Sequence, residues 1–129
     1  MHIQPKNSPD KLRRNAAAFL EDDEHVQALT YATNSLVAGR GTNVAIVATE
    51  RNIYVIVAHM LGLGTRLHKV NNKFPLSGAT AKRSDGGIWI NDFCLKELPR
   101  WREETAAFVD YVVGAAQKAS SRREVTGVA

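Results

Sequence analysis

The sequence predicts an α+β domain that is mainly β: one short helix, about seven short antiparallel strands, then one amphipathic helix. Three observations predict it. Dense β-branched runs at Val44–Thr49 and Ile53–Ala58 are linked only by Glu50-Arg51-Asn52, which makes a β-hairpin. A second hairpin turn, Ser84-Asp85-Gly86-Gly87, joins Ala79–Arg83 to Ile88–Ile90. Trp101, Thr105, Phe108, Val112 and Ala115 recur at steps of four, three, four and three, the stripe of a helix with one buried face. A run of strands followed by a helix argues for a bent sandwich or small barrel plugged by that helix, not for a βαβ fold.

Residues 1–7 are polar and are expected to be flexible. Ser8, Pro9 and Asp10 then read as N-cap, first helical position and first-turn acid of a short helix. Its stripe is Leu12, Ala16, Phe19 and Leu20, and a helix this short needs a partner surface. The acids Glu21 to Glu24 oppose the dipole at a helix C-terminus, so they are placed in a solvated turn; they lack the alternation and glycine of a calcium loop. From Val26 the alternation of Val26, Ala28, Thr30, Ala32 and Asn34 with Gln27, Leu29, Tyr31 and Thr33 suits a strand with both faces partly covered. Gly39 to Asn43 is a turn, His59 to Thr65 reads as a loop, and Pro75 marks Arg66 to Leu76 as an edge strand. Phe93 to Leu95 forms one more short strand, and Pro99 opens the last helix, with Trp101 and Phe108 as the barrel plug. Residues 8–118 form one domain, and 119–129 read as a flexible tail.

With 44% hydrophobic residues and a net charge of +4 on 129 residues, the composition excludes a fully disordered chain. The single cysteine, Cys94, excludes an internal disulfide framework and multi-cysteine metal sites, and is read as a small core hydrophobe. The N-terminus lacks the apolar core of a secretory signal, and no apolar run approaches the roughly 20 residues of a membrane helix, so a cytoplasmic location is expected. The charge is uneven. Residues 1–64 carry six basic and six acidic side chains, whereas residues 65–129 carry eleven and seven, so the excess lies entirely in the second half.

The basic residues Arg66, Lys69, Lys73, Lys82 and Arg83, with His68, form a stretch without an acid and are the candidate anion- or partner-binding set. On an ideal strand Arg66, His68, Val70, Asn72 and Phe74 share one face while Leu67, Lys69, Asn71 and Lys73 share the other, so a single basic platform requires a bulge. Met60, Leu61 and Leu63 either fold back on the core or reach a partner or membrane. Trp89 has two readings. If Ile88 and Ile90 face inward it is exposed and marks an interface; if they lie outside under the N-terminal helix, it is buried. Gly62 and Gly64 lack the third glycine and the helix of a dinucleotide loop. The histidines lack metal-ligand spacing, and no serine sits in a nucleophile elbow.

Several segments in order resemble those of bacterial pleckstrin-homology-like domains. Phe19-Leu-Glu-Asp-Asp-Glu-His-Val26 is similar to the leucine–acidic–valine lead-in to the family's first strand, and Val47-Ala-Thr-Glu-Arg-Asn-Ile-Tyr-Val55 to its Thr-Asp-Arg-Arg-Leu hairpin. Phe74-Pro-Leu-Ser77 resembles its Pro–Leu–Ser segment, and the last helix its capping helix. Glu50 and Asn52 depart from the usual Asp and Arg. The resemblance spans Leu20 to Val113, nearly three quarters of the chain, and implies a seven-stranded bent sandwich capped by a helix. Phosphoinositide-binding members of the family cluster basic residues between the first two strands, where Asn34 to Asn43 offers only Arg40. The expected function is therefore a non-enzymatic binding module without cofactor or metal, acting through a protein partner or self-assembly. The alternative is peripheral binding to anionic membrane through residues 66–83 and 60–63. Nucleic acid is disfavoured, because only Phe74 supplies a stacking ring within the basic stretch.

Overall fold

A computed structural model describes residues 9–33, 43–61 and 64–127. Helix α1 (Pro9–Ala16) runs into a 3-10 turn at Ala17–Phe19. Seven strands follow: β1 (Ala28–Thr33), β2 (Asn43–Ala48), β3 (Asn52–Leu61), β4 (Gly64–Pro75), β5 (Ala81–Ser84), β6 (Gly87–Ile90) and β7 (Phe93–Glu97). A second 3-10 turn, Pro99–Trp101, leads into α2 (Arg102–Gly127), which continues well past Lys118. The strands form one antiparallel sheet in the order β4-β3-β2-β1-β7-β6-β5, so the expected α+β class is the observed one. The second hairpin turns as its sequence dictates, with Asp85 and Gly86 both at positive φ, the geometry of a two-residue hairpin loop.

The sheet bends where β1 meets β7, a junction of only two register pairs, Ala32 with Glu97 and Thr33 with Lys96. Across the bend, Val44, Ile46, Ile53 and Val55 share one buried cluster with Ile88, Ile90 and Leu95. Phe108 and Val112 of α2 complete this inner core, and the buried hydroxyls of Thr30 and Thr105, 2.7 Å apart, tie α2 to β1.

A second cluster lies on the outer face of β1–β4. Leu12 and Ala16 of α1 cover Leu29, Tyr31, Ala45, Val47, Tyr54, Ile56, Ala58 and Leu67. The dense apolar runs of β2 and β3 now have a physical reason: these strands are covered on both faces, so they do not alternate with polar residues. Trp101 belongs to this outer cluster, 5.6 Å from Tyr31 between ring centroids, and not to the plug with Phe108. It lies in the 3-10 turn before α2, so the helical phase that aims Phe108 inward does not extend to it.

The β3–β4 hairpin differs from expectation in two ways. Pairing continues to Leu61 with Gly64, which places Met60, Leu61 and Thr65 in strands instead of a loop; Gly62 and Leu63 lie outside the described residues. Register shifts between Val55 and Ile56 and between Val57 and Ala58 regroup the β4 side chains. Leu67, Val70 and Lys73 stand opposite Ala58, Ile56 and Tyr54 of the outer cluster's face, whereas Lys69, Asn72 and Phe74 stand opposite Val57, Val55 and Ile53. Lys69 and Lys73, which share a face on an ideal strand, are thereby separated. Cys94 is half-buried outside both clusters; Leu95 beside it takes the core position.

Candidate interaction surface

The basic stretch does not form one platform. Arg66 stands opposite His59 in the β3–β4 register, and its side chain, like those of Met60 and Leu61, lies outside the described residues. Lys73 donates to Glu21 at 2.5 Å and lies 5.4 Å from the Tyr54 ring centroid. Arg83 is ion-paired with Glu97. Both cations therefore have internal anionic partners. His68 and Lys69 are exposed on the edge strand β4.

Lys82 and Trp89 meet on the other half of the sheet. Ile88 and Ile90 are fully buried in the inner core, so strand alternation turns Trp89 to the outer face, where it is half-buried. In register it stands between Lys82 on β5 and Cys94 on β7. The Lys82 ammonium lies 5.7 Å from the Trp89 ring centroid, within cation–π range. One step along the sheet, Ser84, Gly87 and Lys96 form the adjoining row. A Cβ at Gly87 would stand 3.0 Å from Cys94 Sγ and 3.2 Å from the Ser84 carbonyl oxygen, so a larger residue there fits only if these neighbours give way. Neither α1 nor α2 has its buried residues on this face: Leu12 and Ala16 belong to the cluster outside β1–β4, and Phe108 and Val112 to the inner core.

The acidic turn after α1 holds a polar network that the sequence alone did not disclose. The sequence predicts Glu24 in a solvated turn, yet its side chain is only 1% exposed. Thr49 Oγ1 and Tyr54 Oη donate to its carboxylate, and Asn52 Nδ2 donates at 3.2 Å. Burial pushes the Glu24 carboxyl upward, but these three donors outweigh it and hold the group below its usual value. Arg51 forks onto Asp23 at 2.6 and 2.9 Å and reaches Glu21 at 3.1 Å. It keeps Asp23 below the ordinary carboxylate range. His25 donates its backbone N–H to Glu50 and places its ring nitrogen 2.9 Å from the same carboxylate, bringing Glu50 down to about 2. The network fastens the α1 segment to the β2–β3 hairpin. A signal for it was present: Arg51 is the sole basic residue between Arg40 and Arg66, placed at the tip of an apolar hairpin and available to a run of four acids.

Among the described residues there is no group of three or more His, Cys, Asp or Glu side chains arranged to hold a metal ion. No helix among them is long and apolar enough to cross a membrane. A scan against protein-family models and a search of curated proteins each found no match. Among solved structures, the chain is similar to the crystal structure of the DH/PH domains of p115-RhoGEF, determined as a point mutant, with a TM-score of 0.52 at 8% sequence identity. That match covers 87% of this chain and 36% of that one, so this chain spans about a third of its length. With its bent seven-stranded antiparallel sheet and C-terminal helix, the chain has a pleckstrin-homology-like fold.

Proposed function

We propose that the chain is a non-enzymatic binding module whose single domain, residues 8–118, acts in the cytoplasm through protein–protein contact. The observation that carries this reading is Trp89, half-buried beside Lys82 on a sheet face over which neither described helix packs its buried residues. A tryptophan left partly open on a rigid sheet is the kind of side chain that anchors protein interfaces. Anionic membrane is the weaker reading. Each basic residue near a charged bilayer contributes about 1 kcal/mol, so stable attachment needs several cations on one surface. Here Lys73 and Arg83 already have carboxylate partners, and Lys69 and Lys82 lie on opposite halves of the sheet.

Affinity capture from the native host with the wild-type chain and with Trp89→Ser tests the proposal, alongside light scattering for self-association. The expected result is a protein, or a second copy, retained by the wild type and lost with Trp89→Ser at unchanged melting temperature. Identical capture by both, together with co-sedimentation on anionic vesicles, contradicts it.

A further inference from the structure

We infer that the outer face of β5–β7 binds an acidic, extended segment of a partner protein, with the Trp89 ring as apolar seat and Lys82 and Lys96 as carboxylate contacts. This deepens the binding-module reading above and rests on it. The register fixes the geometry. Lys82, Trp89 and Cys94 form one cross-strand row, and Ser84, Gly87 and Lys96 form the next. Strand spacing puts Lys82 and Lys96 on the order of 10 Å apart along a diagonal that passes Trp89. On an extended chain, carboxylates four positions apart match that span, since residues advance about 3.3 Å each, and the residue midway between them shares their face.

The charge on this face is one-sided. Its strand positions carry Lys82 and Lys96 and no acid, and Asp85 and Asp92 lie in the turns at either end of β6. Neither lysine makes an ion pair among the described residues, in contrast with Lys73 and Arg83. Lys82 already lies over the Trp89 ring, so an incoming carboxylate meets a cation held in place beside an apolar surface. The small neighbours Gly87, Ser84 and Cys94 leave the ring accessible to an apolar side chain on the same segment. A membrane surface fits less well, because Trp89 is the one large apolar side chain on this face among the described residues and it is half-buried, so it does not project.

The test is fluorescence anisotropy with a fluorescein-labelled peptide repeating Glu-Ser-Leu-Ser, which puts Glu and Leu on one face of an extended chain, with a Lys-Ser-Leu-Ser repeat as control. Vesicles of phosphatidylserine and phosphatidylcholine form a separate arm. The expected result is binding of the acidic peptide only, weakened by salt. Lys82→Glu/Lys96→Glu and Trp89→Ser should each weaken it about tenfold or more, while Lys69→Glu should change it by less than about twofold. If the double reversal lowers the melting temperature, Lys82→Gln/Lys96→Gln replaces it. No binding of the acidic peptide, binding indifferent to these variants, or binding of vesicles in its place overturns the inference. Host capture that is lost with Trp89→Ser but indifferent to the Lys82/Lys96 variants also overturns it, while leaving the binding module standing.

Discussion

On the β1–β4 half of the sheet, the outer face carries Leu29, Tyr31, Val47, Tyr54 and Ile56 beneath α1, with Trp101 completing the cluster. On the β5–β7 half, the outer face carries Lys82, Trp89, Cys94 and Lys96 and lies apart from both buried clusters. Each face has one tryptophan, and the two differ in consequence. Trp101 is 7% exposed and packs on Tyr31; Trp89 is half-buried under a lysine. An apolar strand face must be covered, and here the chain supplies its own cover from the N-terminal side. A face of lysines around one aromatic ring is stable in water and available to a partner. Apolar content on a strand is thus evidence about its cover, and function is better sought where the cover is missing.

Substitutions on the two faces should separate them, beginning with the largest effect. Leu12→Ala removes the buried anchor of α1 and is expected to cost about 2–5 kcal/mol, read by denaturant unfolding. Trp89→Ser should cost far less while removing partner binding; equal losses of stability would mean that Trp89 is a core residue like Leu12. Glu24→Ala leaves the donors from Thr49, Tyr54 and Asn52 without their acceptor, at an expected cost of about 1–3 kcal/mol. Tyr54→Phe should restore part of that loss in a double-mutant cycle, because it removes one orphaned donor.

Acid should act on the same covered half. Glu24, Asp23 and Glu50 all have folded-state values below their usual ones. The unfolded chain therefore binds more protons than the folded chain as pH drops through the ordinary carboxylate range. Their contribution is fully present above the usual glutamate value of 4.5 and is lost as pH falls towards the depressed values, about 2 for Glu50. Melting temperature should decline across that window, and Glu24→Gln should make the decline shallower. A slope unchanged by Glu24→Gln would show that the acidic turn is not the fastening. The smallest effect is expected at Tyr31, whose buried hydroxyl has no hydrogen-bond partner among the described residues. Tyr31→Phe should be neutral or stabilising by about 1 kcal/mol, measured by denaturant unfolding.

Features set by local chemistry were legible in the sequence. The step pattern of α2, the hairpin at Glu50-Arg51-Asn52 and the positive-φ turn at Asp85-Gly86 all follow from neighbouring residues. Strand alternation around Ile88 and Ile90 reduced Trp89 to two orientations, and the inner core selects the outward one. Features set by distant contacts were not legible. The two register shifts in β3–β4 depend on what each face packs against, and they reassign Lys69 and Lys73. Burial of Glu24 depends on Thr49, Asn52 and Tyr54, which are far along the chain and become donors to it only once the acidic turn docks. The step of four from Trp101 to Thr105 continues the helical stripe and predicts a place in the plug, but the 3-10 turn breaks that phase.

The two tryptophans report on both outer faces in one spectrum. An amide NMR titration of the 15N-labelled chain with the Glu-Ser-Leu-Ser repeat peptide reads both indole N–H signals, one for each outer face, assigned through Trp89→Ser. The Trp89 signal should move progressively with peptide and lose that response in Lys82→Glu/Lys96→Glu, while Trp101 stays in place beneath its cover. Movement of Trp101 with Trp89 unchanged, or no movement of either, would show that the β5–β7 face does not bind the acidic segment.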